Sequence, residues 1–118
     1  MLNLTWIKST ANEWLWFETF DLGSVGKTTG VYVIWHGGQT PRTVRVGQGN
    51  IVDRITAHRG DQQILAYRSY GGLVVTWAAV PAASLDGVER HLADQLLPLV
   101  GDRHPNVVPI PVNLPWAA

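Results

Sequence analysis

The stretch from Gly30 to Gly47 constrains this chain more than any other. Gly30 to His36 is nearly all apolar and rich in β-branched and aromatic residues, the composition of a buried strand. Gly37-Gly38-Gln39-Thr40-Pro41 follows, which is turn chemistry. Thr43 to Gly47 then reads as the return strand of a hairpin. Side chains alternate along a strand, so Val44 and Val46 are expected on one face and Thr43 and Arg45 on the other.

The pattern then changes period. Asn50 is a good helix cap, and Ile51 to about Arg59 is expected to form a helix with Ile51 and Ile55 on its core stripe. Gly60-Asp61 ends it, with another helical turn or two before Tyr70. Gly71-Gly72 breaks the chain, and Leu73 to Val80 is a third strand. Ser84 is placed as the cap of a helix from Leu85 to Leu97, with Asp86 near the positive end of the helix dipole and Pro98 as the stop. The chain should therefore be α/β in content, of the α+β kind. The order is strand, hairpin, helix, strand, helix.

Two flanking segments read differently. Residues 1–24 form an aromatic-rich lead-in with Trp6, Trp14, Trp16, Phe17 and Phe20. Thr10-Ala11-Asn12-Glu13 has the form of a capping box, which predicts a short helix to about Phe20. Its aromatics are expected to cover the core, a base-stacking platform being the alternative. Residues 98–118 carry Pro98, Pro105, Pro109, Pro111 and Pro115, a density that removes backbone donors and excludes regular structure. This tail should wrap back over the body formed by residues 28–97.

At 118 residues a single domain with a real core is expected. With no cysteine, neither a disulfide framework nor a thiolate metal site is possible. No apolar run approaches the roughly 20 residues that span a bilayer. The start of the sequence lacks a secretory layout, so a cytoplasmic protein without a membrane partner is the expectation. A net charge of zero argues against a strong non-specific grip on nucleic acid, though it permits a local basic cleft.

Four polar residues stand out against this framework. Glu89 falls inside the apolar stripe of Leu85, Val88, Leu92 and Leu96, and a buried carboxylate needs a partner, a metal or a cleft. A partly exposed Glu paired with an Arg would satisfy the same pattern. Arg54 and His58, one helical turn apart, can point at one anion, or they can form a solvated flank with Arg54 paired to Asp53 or Asp61. Tyr32 sits within an apolar strand, where most tyrosines are core residues with a bonded hydroxyl. The four histidines, His36, His58, His91 and His104, lack the close spacing of a zinc site.

In this order and at these spacings, Gly30-Val31-Tyr32, Arg45-Val46-Gly47, Arg54, His58, Glu89 and Asn113 resemble the GIY-YIG nuclease domain. The resemblance covers about residues 28–115. It implies a small three-stranded antiparallel sheet flanked by helices, and an endonuclease of bacterial or phage type that hydrolyses DNA with one Mg²⁺ or Mn²⁺. Glu89 would hold the metal, Arg54 would neutralise the transition state, Tyr32 would orient or deprotonate water, and His58 would hold or relay to that water. Arg45, Gly47, Gln48 and Asn113 would lie against the substrate. Arg45 stands where the family carries a Tyr, and Gln48 where a basic residue is frequent. An Arg cannot serve as a base at neutral pH. Hydrolysis would then fall to Tyr32 alone, with Arg45 on the phosphate. Alternatively the domain is catalytically impaired and binds nucleic acid, RNA included, or a protein partner. A homodimer built on the tryptophans is a third expectation.

Overall fold

The computed structural model describes residues 2–101 and 104–116. The chain forms an α+β fold around a four-stranded antiparallel sheet, β1 (Leu15–Trp16), β2 (Thr29–His36), β3 (Arg42–Asn50) and β4 (Leu73–Ala79), in the order β1-β4-β2-β3. Helices α1 (Ile51–His58), α2 (Gln62–Leu65) and α3 (Leu85–Leu96) complete it. Among the described residues no helix is long and apolar enough to cross a membrane.

The central strand is β2, paired on both sides and buried at every position from Gly30 to His36. Its alternating side chains divide the core in two. Tyr32 and Ile34 join Val44, Ile51, Ile55, Val75 and Trp77 on the α1 side. Val31, Val33 and Trp35 join Val46, Val80, Val88 and Leu92 on the α3 side. Both faces of the sheet are covered, which is why the β2 sequence runs apolar instead of alternating.

The expectation that Val44 and Val46 share a face does not hold. The β2–β3 register runs from Ile34 opposite Arg45 to Trp35 opposite Thr43, leaving Val44 as an extra residue. A bulge of this kind breaks the two-residue alternation locally. Val44 therefore turns to the α1 core while Val46 packs in the α3 core. The displaced backbone is used: Leu99 N donates to Thr43 O at 3.1 Å and Val100 N to Val44 O at 2.8 Å. The proline-rich tail so covers the outer edge of β3, which would otherwise be an open strand edge.

The expected three-stranded sheet gains a fourth strand because the lead-in is not a helix. Ser9 Oγ accepts from Ala11 N and Glu13 N, both at 3.2 Å, and Asn12 adopts φ +60°. Ser9, and not Thr10, organises this segment, and it builds a tight turn that sends Leu15–Trp16 alongside β4. Aromatic residues suit that pleated edge. The lead-in aromatics largely cover the core: Phe17 is fully buried, Phe20 stacks on Trp77 and Trp14 meets Trp35 edge-on.

The helices begin as their caps dictate, with one exception. Asn50 Oδ1 accepts from Asp53 N at 3.0 Å at the start of α1, and Asp61 Oδ1 from Gln63 N at 2.9 Å at the start of α2. Ser84 makes no side-chain cap bond; a 3₁₀ turn, Ala82–Ser84, feeds α3 directly. Leu97 takes a left-handed conformation and closes α3 ahead of Pro98.

Candidate active site

The β2–β3 hairpin and α1 bring the expected residues together. Tyr32 is 1 % exposed and His58 7 %. The Tyr32 hydroxyl lies 2.5 Å from His58 Nε2. Gly47, directly opposite Tyr32, makes this possible: a Cβ there would overlap the tyrosine ring and hydroxyl. The helix spacing does the rest. Ile51 and Ile55 anchor α1 in the core, and His58, the next turn along, is carried inward against the strand.

Arg45 leaves β3 on the same face as Tyr32, next to the bulge. Its guanidinium lies against Gly101 in the tail, whose φ of +85° and missing Cβ leave that space free. Arg54 is exposed on α1. Both charges act on the tyrosine–histidine pair. Burial pushes the Tyr32 hydroxyl above its ordinary value, reinforced by the Glu89 carboxylate, while Arg45 and Arg54 pull it down. Burial, Arg45 and Arg54 together lower His58 to about 4, against an opposing pull from Asp61. At neutral pH the pair is therefore a phenol and a neutral imidazole. The phenol donates, Nε2 accepts, and the imidazole proton sits on Nδ1.

Of the two readings open for Glu89, the structure shows the buried one, on α3, with a partner that the sequence did not announce. Its Oε2 lies 2.8 Å from His104 Nδ1. His104 comes from the tail, fifteen residues on, and its only sequence signal was a titratable group set among prolines. Two buried nitrogens near these charges, Arg45 Nε and His104 Nε2, have no hydrogen-bond partner among the described residues. Such atoms are rare in folded proteins and mark places where another molecule can complete the bonding.

Two expected substrate contacts are placed otherwise. Gln48 Nε2 donates to Asp86 Oδ1 at 2.7 Å, tying β3 to the start of α3. Asn113 is held by the N-terminal segment: Leu4 N donates to its Oδ1 at 2.6 Å and its Nδ2 donates to Leu4 O at 2.9 Å. A proline-bounded tail needs side chains to bond what prolines cannot, and Asn113 does this for the neighbouring Leu2–Val112 bridge.

Among the described residues no group of three or more His, Asp or Glu side chains is arranged to hold a metal. A single buried carboxylate still fits Mg²⁺ or Mn²⁺ bound through one protein oxygen, waters and substrate phosphate, the usual manner of Mg²⁺ at phosphate sites. Glu89 is the residue that would hold it. Compared with models of protein families, with curated proteins and with solved structures, the chain matches none.

Proposed function

We propose that this chain is an endonuclease of the GIY-YIG type, hydrolysing nucleic-acid phosphodiesters, DNA first. The observation that carries the reading is the convergence of Arg45 and Arg54 on the Tyr32–His58 pair, with the Glu89 charge felt at the same hydroxyl. Two guanidiniums beside a neutral acid–base pair suit a phosphate diester that gains negative charge as water attacks. Water oxygen forms the new bond to phosphorus as the ester bond to the leaving oxygen breaks. The water proton passes to the Tyr32 oxygen while the phenol proton moves to His58 Nε2 along the existing hydrogen bond. The leaving oxygen takes its proton from solvent. Mg²⁺ or Mn²⁺ held by Glu89 would supply charge neutralisation at the leaving oxygen.

A second reading rests on the same pair. A phenol raised above its usual value stays protonated, and an imidazole lowered to about 4 is a weak base, so neither is ready to take a proton from water. They suit a site that binds phosphate without cutting it. The discriminating experiment is nicking of supercoiled plasmid with Mn²⁺ and with Mg²⁺, run beside Arg54→Ala and Glu89→Gln. Metal-dependent nicking lost in both variants supports the nuclease. A folded wild type that binds plasmid at low salt without nicking it supports the binding module.

A further inference from the structure

Beside the cation cluster lies a groove that the hydrolytic reading leaves unused. A cavity of about 540 Å³ is walled by Gly101, Val100, Leu99 and Tyr67, and so begins at the residue against which the Arg45 guanidinium rests. A second cavity, of about 420 Å³, shares Tyr67 and Leu99 with the first and extends to Tyr70, His36 and Arg42. The two cavities therefore adjoin at Tyr67 and Leu99, as a trough that starts beside Arg45.

The far end of the trough is aromatic. The rings of Tyr67 and Tyr70 lie 5.6 Å apart, and His36 lies 5.2 Å from Tyr70 and 6.0 Å from Tyr67. Tyr70 is 54 % exposed, an unusual position for a large ring with no need to cover core. His36 is buried beneath it, with no partner for its Nδ1 among the described residues. Arg42 borders this end, and among the described residues no carboxylate lines either cavity. An aromatic cluster with an exposed ring, in a groove with a cation at either end, is a feature by which proteins hold single strands: bases stack while the backbone follows the charge. A duplex keeps its bases stacked on one another and has none to offer to Tyr70.

We infer that this trough is a stacking subsite for an unpaired nucleobase flanking the scissile phosphate, so that the preferred substrate is single-stranded nucleic acid. The inference rests on the phosphodiester reading of the Arg45–Arg54 cluster. The test is binding of a fluorescent single-stranded oligonucleotide and of the blunt duplex of the same sequence, at low salt with EDTA so that neither is cut. Wild type should bind the single strand more tightly. Tyr70→Ala should weaken single-strand binding about tenfold, with Tyr70→Phe close to wild type and duplex binding unchanged. Equal binding of the two probes by wild type, or a Tyr70→Ala effect that is absent or the same on both probes, overturns the subsite. If Arg54→Ala still abolishes plasmid nicking in that case, the nuclease reading stands without the subsite. If wild type binds neither probe and nicks no plasmid, both fall, and Tyr70 then belongs to a protein-facing surface.

Discussion

The charged cluster around Tyr32 and the clasp around Asn113 meet the same physical demand in opposite ways. Each places polar side chains out of water, where every donor and acceptor needs a partner. The clasp satisfies itself. Asn113 bonds both backbone groups of Leu4, and Trp6 Nε1 donates to Asn113 O at 3.0 Å. Its groups are neutral. The cluster is built from titratable groups, displaces the pKa of two of them, and leaves Arg45 Nε and His104 Nε2 without partners among the described residues. A closed polar network stabilises; an open one holds capacity for a ligand. The comparison can be broken at either end.

The largest effect is expected at Arg54. Its side chain is exposed, so Arg54→Ala should leave stability within about 0.5 kcal/mol of wild type. Nicking should fall by roughly 10²–10³, the usual loss when one charge-stabilising donor is removed. Plasmid assays paired with urea unfolding measure both. A variant that nicks at the wild-type rate would leave the cluster as unconnected to hydrolysis as the clasp.

The next test concerns pH. The folded protein holds His58 near 4, against an ordinary value of 6.5. Between those values the unfolded chain binds a proton that the folded chain refuses. The stability linked to neutral His58 is therefore complete above pH 6.5 and is lost as pH falls toward 4. The shift corresponds to roughly 3 kcal/mol. Urea unfolding at pH 7 and near pH 4 should show wild type losing that much more than His58→Gln. Equal losses would mean that His58 is not held neutral by burial and the two arginines.

Removing the clasp should cost stability alone. Asn113→Ala deletes two hydrogen bonds and strands the buried N–H and C=O of Leu4, for about 2–3 kcal/mol. Nicking per folded molecule should be unchanged. Lost nicking with unchanged stability would return Asn113 to the substrate side, where the sequence resemblance put it.

What the sequence disclosed follows the same division. The hairpin, α1 and the place of Glu89 within the α3 stripe were legible because local periodicity decides them, Ile51 and Ile55 setting one helix face and Leu85, Val88 and Leu92 the other, whereas periodicity left open whether His58 on the flank of α1 turned inward or to solvent. What was missed depends on distant backbone. The Val44 bulge is matched by Leu99 and Val100, more than fifty residues on. The lead-in became an edge strand because β4 offered a free side, which outweighed the helix signal of Thr10 and Glu13. His104 reaches Glu89 from a segment whose prolines carry no period to read.

The smallest effect is expected at Gln48, which lies on β3 beside the cluster. It lies one residue beyond Gly47, yet its amide bonds Asp86 at an exposed site. Gln48→Ala should cost no more than about 0.5–1 kcal/mol, the net worth of one hydrogen bond open to solvent. Gln48→Lys is the more telling change. Asp86 would then face a cation, but an exposed ion pair contributes little to stability. A lysine at this position would also place a cation on the α3 side of β3, across the strand from Arg45. If the cluster binds nucleic acid, Gln48→Lys should tighten binding at low salt and steepen its salt dependence by about one counterion. A lysine that alters neither affinity nor slope would mean that the polyanion does not pass over this part of β3, and that any phosphate reaching Arg45 enters from the Gly101 side.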